Sequence, residues 1–501
     1  MSDVKAVNIP NIHFQRCADF ILTQIVDVQK EMEVNMHKIK AAVIHKPERL
    51  PSKLLLKTED ILKTINELAN PGKPPINWFE GYPDAKAAVS IRGNELVKEE
   101  LKQDTLISED MTKFTVKDLK VVAYEGNEGG VYVEGPNSRV TVENAVINLS
   151  GPGKGVGGPG CGAAVKNQGD LTLKNVIIDS YGKSRFCTVA EQHSVLRVYD
   201  SILISHGVPF GYGIESPKGL MATPPPALEI GGNSRTHCTM SNSFSYFFNS
   251  KIICDGWGAL STETAEGFVY LEAKDCDIIV TKEGYGAYAD PDCHDLFEDC
   301  RFDIDGMAVI IAGEGDVTFH NCDLKCASYL GLMHCVMGAP EEVGTLRVSG
   351  GTVRTKKEGF RVKSHNAHIE LRDVDIACEN GVLIHSFLND DPCATKVSKE
   401  PYGVNLILTN MNLCGDILHE DPERDMWISL NKTTLKGAIL NGILDMDMGS
   451  KWLATGDSNI IIGSDFYPAQ VDAINGITIH AKGSQIGIYD LPSGGRLIVE
   501  I

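Results

Sequence analysis

Leu171-Thr-Leu173-Lys-Asn175 and Leu196-Arg-Val198-Tyr-Asp200 share one pattern: apolar, any, apolar, any, Asn or Asp, any, any, apolar. It returns as Leu271-Glu-Ala273-Lys-Asp275, Val317-Thr-Phe319-His-Asn321, Ile369-Glu-Leu371-Arg-Asp373 and Leu406-Ile-Leu408-Thr-Asn410. Val140-Thr-Val142-Glu-Asn144 leads the series, and looser copies surround Asn249 and Asp299. A unit of roughly 22 to 30 residues cannot bury its apolar face alone, so it must stack on its neighbours as a solenoid. The 49-residue step from Asp200 to Asn249 reads as about two coils.

In a solenoid each coil touches only the coils beside it, so 501 residues fit one long domain with a cap. The formal net charge of -20 opposes binding of nucleic acid or an anionic membrane, because those contacts need Lys and Arg. The start, MSDVKAVNIPNIHF, has no basic stretch followed by an apolar run, and no later stretch is long and apolar enough to span a bilayer. Cys276, Cys300 and Cys322 each follow a repeat Asp or Asn directly, which makes them stacked small side chains rather than disulfide partners. A reducing, cytoplasmic setting is expected. No CxxC pair, HExxH or EF-hand loop is present, so no strong metal motif exists.

Residues 11–46 carry helical spacing at Phe20, Ile21, Ile25, Val28, Met32 and Met36. Leu54 to Leu68 is a second amphipathic run and Asp84 to Lys102 a third. Residues 1–110 are therefore expected to form an α-helical N-terminal cap that covers the open strand edges or joins subunits into a homo-oligomer. From 111 to 450 the pattern is short strands separated by Gly, Asn and Asp, and 451–501 is expected to be a C-terminal β-strand cap. Three stretches break the rhythm: Gly151 to Gly162, Ser205 to Ala227, and Asn389 to Tyr402. Long excursions from a rigid scaffold are where sites are commonly built.

Each unit also holds a strand led by Gly, as in Gly162-Ala-Ala-Val-Lys166, Gly211-Tyr212-Gly-Ile-Glu215, Gly256-Trp257-Gly-Ala-Leu260, Gly284-Tyr285-Gly-Ala-Tyr288 and Gly359-Phe-Arg-Val-Lys363. Alternation sends the first and third residues after the Gly inward and the second and fourth outward. The outward second position is then small at Gly213, Gly258 and Gly286, a floor that would admit a flat ring between polar walls. The bland alternative is that small residues relieve crowding in a tight sheet.

The functional reading gains where polar residues cluster. Tyr288, His237, Asp290 and His294 can pass protons near neutral pH when burial or neighbours shift them, and Glu215 opens the long excursion. Arg235, Lys166 and Lys363 could neutralise a developing oxyanion, with His193, Tyr212, Trp257 and Tyr285 as further substrate contacts. Asp290, Asp292 and His294 would suit a hard cation such as calcium, but a turn of this composition is more often a plain loop, and no cofactor is expected. Gly153-Lys-Gly155-Val-Gly-Gly158 matches GxGxxG without a Rossmann strand and helix around it, so it reads as a loop.

The coil length, Asn/Asp ladder and Gly-led strands resemble the pectate-lyase-like superfamily over roughly residues 112–450. The resemblance implies an all-β fold, a single-stranded right-handed parallel β-helix with its cleft along one outer face. Gly359-Phe-Arg361-Val-Lys363-Ser resembles the Arg-x-Lys substrate-binding segment of polygalacturonases, while their aspartate pair and Gly-His-Gly segment are not found in the expected order. Trp452-Leu-Ala-Thr-Gly456-Asp457-Ser458-Asn459 resembles the tail of autotransporter-adhesin β-helices. The expected function is acid/base chemistry on a small polyhydroxylated ring, first as a sugar or uronate lyase or epimerase. A cofactor-independent isomerase or hydroxyl-transferring enzyme on a polyphenol such as a trihydroxybenzene is the runner-up. A non-catalytic assembly or adhesion protein is the third reading.

Overall fold

The computed structural model describes residues 86–101, 115–151, 160–207, 229–264, 267–334, 342–388 and 403–501. These residues form a parallel β-solenoid in which each coil contributes one strand to each of three faces. The second face carries the repeat itself: Asp170–Lys174, Val195–Tyr199, Phe244–Phe248 and Val269–Lys274 lie side by side in parallel register. The third face follows the Asn/Asp turn, with Ile177–Tyr181, Ile202–His206 and Lys251–Cys254 stacked in the same order. The first face holds Ala163–Lys166, Thr188–Ala190, Ser234–Met240 and Trp257–Glu263. Two long strands, Asp277–Ala289 and Arg301–Ala312, bend from the third face into the first.

The repeat Asn or Asp makes the corner because it occupies the left-handed region, where its short polar side chain is tolerated. Asn144, Asn175, Asp200, Asn249, Asp275, Asp299, Asn321, Asp373 and Asn410 all have φ between 45° and 56°. Their side chains then join coil to coil. Asn175 Nδ2 donates to Asn144 Oδ1 at 2.8 Å, Asn249 to Asp200 at 2.6 Å, Asn321 to Asp299 at 2.5 Å, and Asn410 donates to Asp373. The bond between Asn249 and Asp200 corrects the expected two coils to one: these residues sit on adjacent coils, and the surplus length is the excursion after His206. The apolar partners of the pattern, among them Leu171, Leu196, Phe247 and Leu271, are fully buried in the bore. Each contributes on the order of 1.5–3 kcal/mol relative to exposure.

The described cysteines are free, and Cys276, Cys300 and Cys322 stack in the bore with their thiols turned to backbone carbonyls. At the C-terminal end Trp452 is buried and donates from Nε1 to the Gly437 carbonyl at 2.9 Å. Asp457 Oδ1 accepts the Thr478 amide at 3.0 Å. The chain closes on an antiparallel pair, Gly487–Asp490 with Arg496–Glu500.

The expected α-helical cap is corrected by the segment from Asp84 to Lys102. Its described part opens with a strand, Lys86–Arg92, which pairs in parallel with Glu128–Glu134 and forms the first rung among the described residues. The run Ala87-Ala-Val-Ser-Ile91 is buried almost throughout, so neighbouring coils decide its conformation over any helical spacing. Among the described residues there is no α-helix, only the 3₁₀ turns Lys98–Glu100 and Pro468–Gln470. The helical runs expected at 11–46 and 54–68 lie outside the described residues. No helix of the described residues is long and apolar enough to cross a membrane.

Candidate functional site

Strict alternation misassigns the first face because its strands bend at their start. Ala259 and Leu260 both belong to the bore, as do Ala287 and its neighbour Gly286, where an added Cβ would meet Phe302 Cδ1 in the core at 2.6 Å. Two consecutive inward residues shift the phase of everything after them. The outward row actually runs Tyr132, Ala164, Val189, Cys238, Ser261, Tyr288, Ile310, Leu332, Arg361, His385. Among the described residues the expected Gly floor is absent: Gly286 faces the bore and the space above Gly258 is filled by the Tyr285 ring, while Gly213 lies outside the described residues.

What stands on this face instead is a buried polar group spread over three adjacent coils. Arg235 projects from the first of them, with its guanidinium 5.0 Å from the Phe186 ring centroid and 4.6 Å from that of Trp257. It pairs with Glu263 and hydrogen-bonds the Tyr285 hydroxyl. Tyr285 also meets Ser261 Oγ at 2.7 Å, and its ring centroid is 5.5 Å from that of Tyr288. Tyr288 donates to Asp290 Oδ1 at 2.7 Å. Trp257, Tyr285 and Tyr288 belong with Met307, Ile310 and Leu332 to an apolar cluster separate from the bore.

This burial sets the proton affinities. Desolvation pushes the Asp290 carboxyl up to about 7, against the opposing pull of the Tyr288 hydroxyl and the Arg235 charge. Desolvation, then the neighbouring Asp290, holds the Tyr288 phenol well above its ordinary value. Tyr285 rises to about 12 through burial, with Arg235 and Ser261 acting the other way. The group thus offers a carboxyl that gives or takes a proton near neutral pH, a phenol that keeps its proton, and a fixed guanidinium.

Five of the residues expected from the sequence, Arg235, Trp257, Tyr285, Tyr288 and Asp290, come together here. Of the others, those among the described residues do not join them. His237 pairs with Thr188 and Leu260, both inward, and so lies in the bore. There its ring meets Thr188 Oγ1 at 2.8 Å and Thr239 Oγ1 at 2.6 Å, packs edge-on to Phe247, and is lowered by burial to about 3. His294 lies past the next corner on the second face, stacked on Phe268 with centroids 4.7 Å apart. Asp292 is exposed at a tight turn while Asp290 is buried, and among the described residues no group of three or more His, Cys, Asp or Glu could hold a metal ion.

Lys166 and Lys363 share the first face but stand about four and three coils from Tyr288, roughly 19 and 14 Å away at the strand spacing. They pair with Glu191 and Glu229 respectively. His193 is an exposed turn residue with φ 64°. Tyr212 and Glu215 lie outside the described residues.

Sequence reasoning missed Phe186, Ser261 and Glu263. Phe186 precedes the strand Thr188–Ala190, which has no leading Gly and so escaped alignment. Glu263 was legible in principle, as the last residue of the strand that begins at Trp257. No protein-family model matches the chain, and comparison with curated proteins gives no match.

Proposed function

We propose that this protein is an enzyme performing acid/base chemistry on a small polyhydroxylated ring, with Asp290, Tyr288 and Arg235 as its working groups. The observation that carries this is the Tyr288–Asp290 hydrogen bond, made inside an apolar cluster and within the field of Arg235. A sugar or uronate lyase or epimerase fits best. Such a reaction removes a proton from carbon next to a carbonyl or carboxylate, which Asp290 would accept. The enolate formed would be neutralised by Arg235, whose position is fixed by Phe186, Trp257 and Glu263. Tyr288 would give its phenolic proton to the carbon in epimerisation, or to the departing oxygen as the β carbon–oxygen bond breaks in elimination, and regain it from Asp290 across their hydrogen bond. A polyphenol isomerase or hydroxyl-transferring enzyme would use the same groups.

Right-handed coiling and kinship with the pectate-lyase-like superfamily belong to the same proposal. Parallel strands joined by crossovers are right-handed in nearly all proteins. The test is incubation with uronates, neutral sugars and trihydroxybenzenes in deuterium oxide, followed by proton NMR. Exchange or turnover abolished in Asp290→Asn and strongly reduced in Tyr288→Phe is the expected result. Turnover that survives both variants unchanged removes the site, and no turnover on any member of the panel leaves the non-catalytic assembly reading in its place.

A further inference from the structure

Five residues, Glu229 to Asn233, lead back onto the first face just before the strand Ser234–Met240. The far end of this strap is Glu229, whose carboxylate accepts the Tyr329 hydroxyl at 2.8 Å and Arg361 Nη1 at 2.9 and 3.1 Å, and pairs with Lys363. The near end is Asn233, whose carbonyl accepts the Ser184 amide at 2.8 Å. Between the coils of Ser234 and Tyr329 lie the three that carry Trp257, Tyr288 and Ile310. Four strand spacings are roughly 19 Å, close to the roughly 17 Å that five extended residues span, so the strap is drawn out across all three.

The strap lies on the Tyr288 group and covers it. Ile230 packs against the apolar cluster of Trp257, Tyr288 and Ile310. Gly232, with φ 97°, sits so close to the strand below that a Cβ would meet Gly256 C at 2.5 Å and Trp257 N at 2.7 Å. Only glycine fits there, and Gly231-Gly232 supplies the freedom to pivot. The groups given working roles are correspondingly hidden: Asp290 is 2 %, Arg235 3 % and Tyr288 8 % exposed. The latch itself is reachable from water, since the Glu229 side chain is 28 % exposed. Its receiving end is built without it, because Arg361 also pairs with Glu358 at 2.9 Å and lies 4.3 Å from the Tyr329 ring centroid.

We infer that residues 229–233 are a gate over the Tyr288 group, latched by Glu229 on Arg361, Lys363 and Tyr329 and swung at Gly231-Gly232. Breaking the ion pairs releases the strap and uncovers Trp257, Tyr288 and Ile310. That the gate admits a substrate rests on the proposed reaction; that it opens does not.

The reporter is Ile310→Cys in the full chain, its thiol labelled by N-ethylmaleimide and located by peptide mass spectrometry. Ile310 is fully buried in the covered cluster. Adding Glu229→Gln should speed labelling at position 310 about tenfold, and Arg361→Gln should do the same from the other side of the latch. About 0.5 M sodium chloride should speed it with Glu229 in place and have little effect in Glu229→Gln. Labelling of the bore thiols Cys276 and Cys300 should stay constant, which separates opening from unfolding. Equal rates at position 310 with and without Glu229, or a parallel rise at the bore thiols, would overturn the gate. Because labelling needs no substrate, a failed gate leaves the turnover test of Asp290→Asn standing, and a failed reaction leaves the gate standing.

Discussion

Tyr288, next to last in the strand Asp277–Ala289, donates its phenolic proton at 2.7 Å to Oδ1 of Asp290, the residue that directly follows that strand. The pair is buried, and burial makes the carboxylate a base of useful strength.

Asp290 gives a pH signature that separates its role in stability from its role in chemistry. Its folded value, about 7, lies above the ordinary carboxyl value, so the folded chain holds a proton that the unfolded chain has already released. Stability therefore falls as pH rises from the ordinary range through about 7, and stays lower above it. Asp290→Asn should flatten that slope and melt higher than wild type at pH 8 but not at pH 4. Turnover should fall by about 10²–10⁴-fold in the same variant. An equal difference in melting temperature between variant and wild type at both pH values would show that Asp290 titrates normally.

Arg235 acts as a clamped cation, and the clamp is aromatic. Arg235→Lys keeps the charge but loses the planar stacking against Phe186 and Trp257 and one arm of the link between Glu263 and Tyr285. We expect turnover down by about 10²-fold with KM changed far less, measured by steady-state kinetics on whichever substrate the panel identifies. An equal loss in binding and turnover would mean that Arg235 recognises substrate without favouring the transition state.

Arg185 holds the early coils together through carbonyls alone. Its buried guanidinium donates to Gly160 O at 3.0 Å, Gly151 O at 3.1 Å, Glu125 O at 3.1 Å and Glu128 O at 2.8 Å, and also to Ser150 O. A lysine has too few donors to satisfy this set. Arg185→Lys should destabilise by about 2–4 kcal/mol in urea unfolding, and an effect below the error of that measurement would refute the staple.

Asn321 carries two separable contributions, a left-handed backbone with φ 52° and an amide bond to Asp299. Asn321→Ala loses both and should cost about 1–2 kcal/mol. Asn321→Gly restores the backbone and should cost less. Equal losses would show that the side-chain ladder alone matters.

The solenoid was readable because its corner residues announce themselves: an Asn or Asp that tolerates the left-handed region, flanked by alternating apolar residues, leaves little else for the chain to do. The excursion between Asp200 and Asn249 mimicked an extra coil, since length alone does not say whether residues stack or loop out. At the site, Tyr285, Tyr288 and Arg235 were recognised as residue types, yet the Gly floor beneath them was misplaced. Ala259 with Leu260, and Gly286 with Ala287, both turn inward at a bend that no alternation rule contains. His237 shows the converse case, a polar residue whose partners, Thr188 and Thr239, are inside rather than outside. The strand Lys86–Arg92 shows that burial between neighbours overrides a helical spacing.

That internal histidine has a consequence for how a repetitive chain finds its order. Near-identical rungs invite mispairing, and the excursion between Thr188 and His237 is long enough for a coil to be skipped. Skipping it would set Leu260 against Thr188 and strand an imidazole with no hydroxyl to meet it, at about 1–3 kcal/mol. The Thr188–His237–Thr239–Ser245 chain of hydroxyls and imidazole thus works as proofreading written into the bore. Replacing Thr188 with Val and His237 with Leu together should preserve the melting temperature while lowering the refolding yield, and an unchanged yield would remove that role.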